Sequence, residues 1–242
     1  MRRSPLPMLD RHPIDDINRW AVTTFVRRTA DSLPDDALVL DAGAGEGMYR
    51  GLFSRHRYVA ADLAVGDADW DYSGLSAVTD LSRLPFSGDT FDAVLSTQTL
   101  EHLAEPAAFL AAAARVMKPG GRLYLTAPQC FRLHQEPHDY FRYTKYGLAH
   151  LVTKAGLVVE SIEPQGGYFR FLADAIRPLH RRLFGKERPL FFRILAAPLA
   201  LVSKLMFTRL IPMAFFHLDH LDTKRTVTTG HELIAVKPGA GE

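Results

Sequence analysis

Asp41, Gly43, Gly45 and Gly47 stand at alternate positions in the run VLDAGAGEGMYR, residues 39–50, a pattern suited to holding a ligand. An apolar strand delivers the acid, and the glycines after it let the main chain turn sharply and let a ligand lie against bare backbone. The run then leads into an expected helix, whose N-terminus offers unpaired N–H groups. Dinucleotide-binding loops use the spacing G-x-G-x-x-G. Here the spacing is D-x-G-x-G-x-G, and an acid ahead of the first glycine repels a pyrophosphate while suiting a ligand with a cationic amino group. The run RYVAADL, residues 57–63, reads as a second strand that ends by delivering Asp62. An acid about 20 positions after such a loop accepts hydrogen bonds from both hydroxyls of a ribose.

These residues need a scaffold that gathers strand ends. Phe91 to Thr97 reads as a short buried strand, and the alanine-rich stretch from Glu101 to Met117 carries Leu103, Phe109, Leu110 and Val116 at helix-like intervals. Lys118-Pro119-Gly120-Gly121 then stops the helix and turns the chain into a strand from Arg122 to Ala127. Strands alternating with helices imply parallel crossovers and a doubly wound α/β sheet. Ligands bind such sheets beyond the carboxyl ends of the strands. Gly43, Asp62, Asp80, Thr97 and Pro128 all fall at expected strand ends, so they should ring one crevice.

The glycine loop, Asp80-Leu81 with the LPF turn, FDAVLSTQTLEHL at 91–103 and RVMKPGGRLYLTA at 115–127 follow one another in an order that resembles the class I S-adenosylmethionine-dependent methyltransferases, the type 11 branch in particular. The resemblance covers residues 36–171 and resumes weakly near 226. It implies a mostly parallel, seven-stranded Rossmann-like sheet and S-adenosylmethionine as cofactor, whose aminocarboxypropyl chain carries the cationic amino group that Asp41 suits. Asp41, Gly43, Gly45, Gly47, Asp62, Asp80, Leu81 and Thr97 are the cofactor-binding candidates, with Asp62 on the ribose and Asp80 on the adenine amino group. The absence of an N/D-PP-aromatic motif after the fourth strand argues, on the same resemblance, against the amines of nucleic-acid bases as acceptors.

Methyl transfer makes modest demands. The sulfonium is a good leaving group, so the protein must hold the acceptor in line and take up a proton if the acceptor is a hydroxyl or an amine. Histidine is the usual base. The run FRLHQEPHDYFRYT, residues 131–144, packs two histidines, two acids, two arginines and two tyrosines into a loop beside a strand end, and such density marks an acid/base and recognition site. His138 is the first candidate for the catalytic base and His102, after Glu101, the second. His134, Asp139, Tyr140 and Arg142 are candidates for contact with the acceptor. A structural alternative stands beside this reading: His138 and Asp139 can cap the next helix while Arg142 pairs with an acid. No metal is expected. His134 and His138 lie four apart but flank Pro137, which argues against a regular helix. The cluster His217, Asp219, His220 and Asp222 has no zinc-motif spacing.

The rest of the chain bounds these readings. Its 242 residues are 47% hydrophobic, enough for one substantial core. A formal net charge of +2 gives no ground for a nucleic-acid partner, and the lone Cys130 fits a reducing compartment. Arg2 and Arg3 are followed by prolines and Asp10 rather than an apolar run, so no secretory signal is read, and the cytosol or the cytosolic face of a membrane is the expected location. Asp15 and Asp16 can cap a helix reaching about Leu33, with Trp20, Val22, Phe25 and Val26 on its apolar face. Trp20 either shields the cofactor or anchors the helix.

GLVVESI at 156–162 and TVTTGHELIAVK at 226–237 read as the last two strands, and the segment between them far exceeds a hairpin loop. It opens with Arg177, His180, Arg181, Arg182, Lys186 and Arg188 and continues into FFRILAAPLALVSKLMFTRLIPMAFFHL. Its longest uncharged part is half of a bilayer span, and Pro198 and Pro212 interrupt it, so it does not read as a transmembrane helix. It suits a lid, a homodimer interface, or an in-plane anchor on an anionic membrane surface. The expected division is a helical cap at 1–35, a cofactor-binding core at 36–171, this insertion at 172–222, and a final strand and tail at 223–242. The leading function is transfer of a methyl group to a small molecule, a lipid or a lipid-linked glycan, at oxygen in the first instance. A catalytically inactive cofactor-binding scaffold or regulatory subunit is the alternative, and a dehydrogenase is disfavoured by the glycine spacing and the KPGG turn.

Overall fold

A computed structural model describes residues 13–66 and 69–239. Arg2, Arg3 and Asp10 lie outside the described residues.

Seven strands form one sheet: β1 (Leu38–Ala42), β2 (Arg57–Asp62), β3 (Ala77–Val78), β4 (Phe91–Thr97), β5 (Met117–Pro128), β6 (Val158–Pro164) and β7 (Gly230–Val236). Their order across the sheet is β3-β2-β1-β4-β5-β7-β6. The first five strands are parallel, and β7 runs antiparallel between β5 and β6. This is the doubly wound α/β sheet expected from the alternating pattern. The strand order reverses direction at β1 and β4, where ligands bind in such sheets.

The central strands are apolar on both faces because helices cover both. On one face α2 (Pro106–Val116) and α3 (Lys145–Lys154) pack Phe109, Leu110, Val116, Leu148 and Val152 against Leu40, Val94, Leu123 and Leu233. Each such aliphatic or aromatic side chain contributes about 1.5–3 kcal/mol by leaving water. On the other face α1 (Ile17–Ser32) sets Val22, Phe25 and Val26 against Val39, Leu95 and Tyr124. The Asp16 side chain caps α1 by accepting from the Arg19 N–H at 3.0 Å, as its position before the apolar stripe foretells.

Two expected helices differ. After the glycines the chain makes turns and a 3-10 helix at Arg50–Phe53 instead of an α-helix. Gly43, Gly45 and Gly47 have φ of +88°, +53° and +69°, so no right-handed helix can begin until they are passed, and β2 follows at Arg57. N–H groups in the loop therefore come from left-handed turns and not from a helix end. Likewise Glu101 and His102 sit on a 3-10 turn, Leu100–His102, ahead of α2. Pro106, in the first turn of α2, marks where the helix starts.

Between β6 and β7 lie α4 (Tyr168–Ile176), α5 (Leu179–Phe184), α6 (Leu190–Leu195), α7 (Ala197–Leu205) and α8 (Ile211–Leu218), the last two joined by a π-helical turn at Met206–Leu210. Pro198 and Pro212 do not interrupt this run as expected. Both fall in the first turn of a helix, where the missing N–H is no loss, and the π turn precedes Pro212. The helical run Ala197–Leu221 has 25 residues and contains an 18-residue window of mean hydropathy 1.6, long and apolar enough to cross a membrane by length and composition. α8 also packs on the core: Phe216 meets the Trp20 ring edge-on at 5.5 Å, and the Arg170 guanidinium lies 5.2 Å over Trp20. Trp20 thus anchors α1 to the insertion.

Candidate active site

Gly43 follows β1, Asp62 ends β2, Asp80 follows β3, Thr97 ends β4 and Pro128 ends β5, so the five expected positions share the carboxyl edge of the parallel strands. The glycine loop is pinned there by its own backbone: Gly43 and Ala44 N–H donate to Ala61 O at 2.8 and 3.2 Å. A Cβ on Gly43 would come within 2.2 Å of Thr99 Oγ1, and one on Gly45 within 3.0 Å of the Trp70 ring. With positive φ at both, only glycine fits. Thr99 and Trp70 thereby join the site, although neither stands out in the sequence.

The acids divide the work. Asp62 takes the Gly45 N–H on Oδ2 at 2.9 Å and the Ala64 N–H on Oδ1 at 2.7 Å, so one carboxylate shapes both loops that flank the crevice. Asp80 caps the 3-10 helix Leu81–Arg83, accepting from Ser82 N–H and Oγ at 2.9 and 2.8 Å, and these bonds hold its carboxyl below the usual range. Leu81 itself is buried in the core beside the crevice, and Thr97 O accepts from Thr99 Oγ1 at 3.1 Å. Asp41 is 1% exposed. Its Oδ2 accepts from Tyr58 Oη, and Oδ1 is buried with no hydrogen-bond partner among the described residues. Burial pushes its carboxyl up to about 7, against the Tyr58 hydrogen bond that lowers it.

The loop after β5 lies over the turn that follows β4. Tyr140 and Phe141 N–H donate to Glu101 O at 2.9 and 3.3 Å, and Tyr143 Oη donates to Leu100 O at 3.0 Å. Arg142 organises the loop: it donates to Phe131 O, Arg132 O and Phe141 O, and to both oxygens of Asp139 at 2.6 and 2.8 Å. That pairing holds the Asp139 carboxyl well below its usual range. Asp139 and Arg142, expected at the acceptor, are thus committed to holding the loop, and Thr144 rather than His138 or Asp139 caps α3. Arg142→Ala leaves the Asp139 side chain, 2% exposed, without its cationic partner and with only the His134 N–H at 2.9 Å. A buried charge so stranded costs 3–5 kcal/mol, and since Arg142 is partly solvated we expect a loss of about 2 kcal/mol. Urea unfolding of wild type and variant measures it, and equal midpoints would remove the loop-holding role.

His138 is exposed, with Nδ1 3.2 Å from Tyr140 Oη, while its backbone carbonyl accepts from His102 Nδ1 at 2.6 Å. His134 does not meet His138. It lies instead against His102, the two Nε2 atoms 3.1 Å apart. The fully buried Glu101 carboxyl beside them has no hydrogen-bond partner on either oxygen among the described residues, and burial pushes it up to about 8. Burial lowers His102 and His134. The second polar cluster proves to be a helix cap: Asp219 accepts from Gly167 and Arg170 N–H, and Asp222 from Tyr168 N–H, at the start of α4.

Residues 40–125 match the model of a methyltransferase domain. Over those residues the chain carries a methyltransferase domain. It is 29% identical over 147 residues to a ubiquinone biosynthesis O-methyltransferase of Cereibacter sphaeroides, with 56% of this chain and 58% of that protein covered. It is 30% identical over 128 residues to a malonyl-[acyl-carrier protein] O-methyltransferase of Hahella chejuensis, with 48% and 45% covered. The chain thus spans about half the length of these relatives. A Burkholderia thailandensis 1,6-didemethyltoxoflavin-N1-methyltransferase, solved with its acceptor and S-adenosylhomocysteine, shares the fold with a TM-score of 0.52 and 18% identity over 93% of this chain and 83% of that one.

The crevice of this methyltransferase domain fits the cofactor. Asp41 Oδ1 is a buried acceptor without a partner among the described residues, as a cationic amino group requires, and the Gly43–Gly45 cradle leaves no room for a Cβ. Asp62, at the end of β2, and Asp80, just after β3, lie farther along that edge.

Proposed function

We propose that this chain transfers the methyl group of S-adenosylmethionine to a hydroxyl oxygen of a small or lipid acceptor. The observation that carries the reading is the loop after β5, which sets the exposed His138 and Tyr140 beside the carboxyl edge that holds the cofactor residues. O-methyltransferases among the relatives support oxygen as the acceptor atom. The cofactor supplies an electrophilic methyl on a good leaving group. Asp41, Asp62 and Asp80 hold and orient it, His138 takes the acceptor's proton, and Tyr140, hydrogen-bonded to that imidazole, positions it. Asp139 and Arg142 act on the acceptor only through the loop they hold. The test is incubation with isotopically labelled S-adenosylmethionine and a panel of phenols, catechols, hydroxy acids and membrane lipid extracts. Label appearing in an oxygen-linked methyl group supports the reading. Label appearing only on nitrogen contradicts it.

The insertion favours a lipid surface as the place of reaction. Leu190, Phe191, Ile194, Leu195, Leu199 and Leu201 are exposed, and Leu195 is 81% exposed. Arg181, Arg182, Lys186, Arg188 and Arg193 border them. Apolar side chains flanked by cations suit an in-plane contact with anionic lipid better than a lid, which would use only the apolar part. A cavity of about 390 Å³ within the insertion, lined by Leu172, Ile176, Leu179, Phe215 and Arg182, is apolar enough to receive an alkyl chain. We expect the protein to sediment with anionic vesicles at low salt and to come off as salt rises, because exposed charges are screened within about 10 Å at 0.1 M. Replacing Arg181, Arg182 and Lys186 together by glutamate should release it while cofactor affinity stays. A protein that ignores vesicles at every salt concentration would point to a lid or a homodimer.

A further inference from the structure

We propose that Glu101, His102 and His134 bind one divalent transition-metal cation. The three ligand atoms lie within 4.8 Å of one another. His102 Nε2 and His134 Nε2 are 3.1 Å apart, and Glu101 Oε1 lies 3.8 Å from the first and 3.9 Å from the second. Bonds of 2.0–2.2 Å to a tetrahedral ion put neighbouring ligand atoms about 3.3–3.6 Å apart, and the observed triangle brackets that spacing.

With both rings neutral, the hydrogen bonding around the triangle leaves its inward-facing atoms unsatisfied. His102 Nδ1 faces the His138 carbonyl at 2.6 Å, so it carries the hydrogen and Nε2 the lone pair. His134 Nδ1 faces only acceptors, Arg132 O at 3.2 Å and Asp139 Oδ2 at 3.4 Å, which places its hydrogen there as well. Two imidazole lone pairs then confront each other beside a carboxylate that is fully buried and has no hydrogen-bond partner on either oxygen among the described residues. Separations of 3.8 and 3.9 Å are too long for a proton on Glu101 to bridge to either ring. A cation satisfies all three groups at once. Metal-bound histidines ordinarily donate their other nitrogen to a carbonyl or a carboxylate, which is the arrangement at both rings.

Two histidines and one carboxylate suit zinc and its first-row neighbours better than magnesium or calcium, which prefer an all-oxygen set. Three protein ligands leave at least one coordination position open. The side chain of His134 is 26% exposed, and Glu101 and His102 lie on the turn that follows β4, which places the site at the carboxyl edge. A cation there is placed to polarise an acceptor oxygen. Any such part in the reaction rests on the oxygen-acceptor reading above, whereas binding of the ion does not.

The test uses the full chain, stripped with a chelator and titrated with Zn²⁺ by calorimetry and with Co²⁺ by visible absorption. We expect one equivalent to bind, with cobalt bands typical of mixed nitrogen and oxygen ligation. His134→Ala should weaken binding by about 100-fold or more, with the melting temperature showing that the fold is kept. Glu101→Gln should do the same, and His217→Ala/His220→Ala, which removes exposed imidazoles elsewhere, should change nothing. Wild type that takes up no ion, or His134→Ala that binds as wild type does, overturns the proposal. S-adenosylhomocysteine binding is followed on the same samples, so that loss of the metal claim is separated from loss of the methyltransferase claim.

Discussion

Replacing His138 by alanine is expected to lower kcat by about 10²–10⁴-fold, the range for removing a positioned base. Affinity for S-adenosylhomocysteine should stay unchanged. The substitution isolates the ring, because the contact that supports His102 comes from the His138 backbone carbonyl and survives in the variant. A loss confined to kcat, with both cofactor affinity and melting temperature preserved, assigns proton transfer to the imidazole. Steady-state rates with an acceptor found by the labelling screen provide the measurement. Wild-type rates would remove His138 from the reaction.

Asp62→Ala is expected to weaken S-adenosylhomocysteine binding by about 100-fold, which corresponds to about 2.7 kcal/mol. Two effects combine. The variant cannot accept from ribose hydroxyls, and it also frees the Gly45 and Ala64 N–H groups that the carboxylate holds at 2.9 and 2.7 Å. Hydrogen bonds to a charged group are worth about 1.5–3 kcal/mol each. Asp80→Ala should cost less, since that carboxylate is exposed and occupied with Ser82. Calorimetric titration of the two variants ranks them, and an equal loss in both would contradict the division of roles.

The cofactor edge was legible because a parallel strand buried on both faces writes itself as an apolar run, and its end is marked by the first acid or glycine. Asp41 and Asp62 follow from that rule alone. The loop after β5 announced itself by composition, but the path that brings His134 to His102 depends on Arg142 gathering carbonyls from Phe131, Arg132 and Phe141. No local spacing encodes such a fold-back. Glu101 was hidden for a related reason: read as the first residue of a helix it faces solvent, whereas on a 3-10 turn roofed by Tyr140 it is sealed from water. In the insertion, prolines that read as breaks became first-turn residues, a distinction that requires knowing where each helix starts.

The cradle formed by Asp41, the glycine loop and Asp62 is most directly tested by calorimetric titration of the unmodified chain with S-adenosylhomocysteine across pH. Asp41 is protonated below about 7 in the unliganded fold, and only its ionised form pairs with the ligand's ammonium. Affinity should therefore rise as pH passes upward through about 7 and level off above it. The same raised pKa means that this group's contribution to unliganded stability is full below about pH 4 and is lost progressively as pH climbs from there through about 7. One molecule of S-adenosylhomocysteine bound per chain, with that pH dependence absent in Asp41→Asn, is the predicted result. Absence of binding at every pH, or tighter binding of NADH, would contradict it.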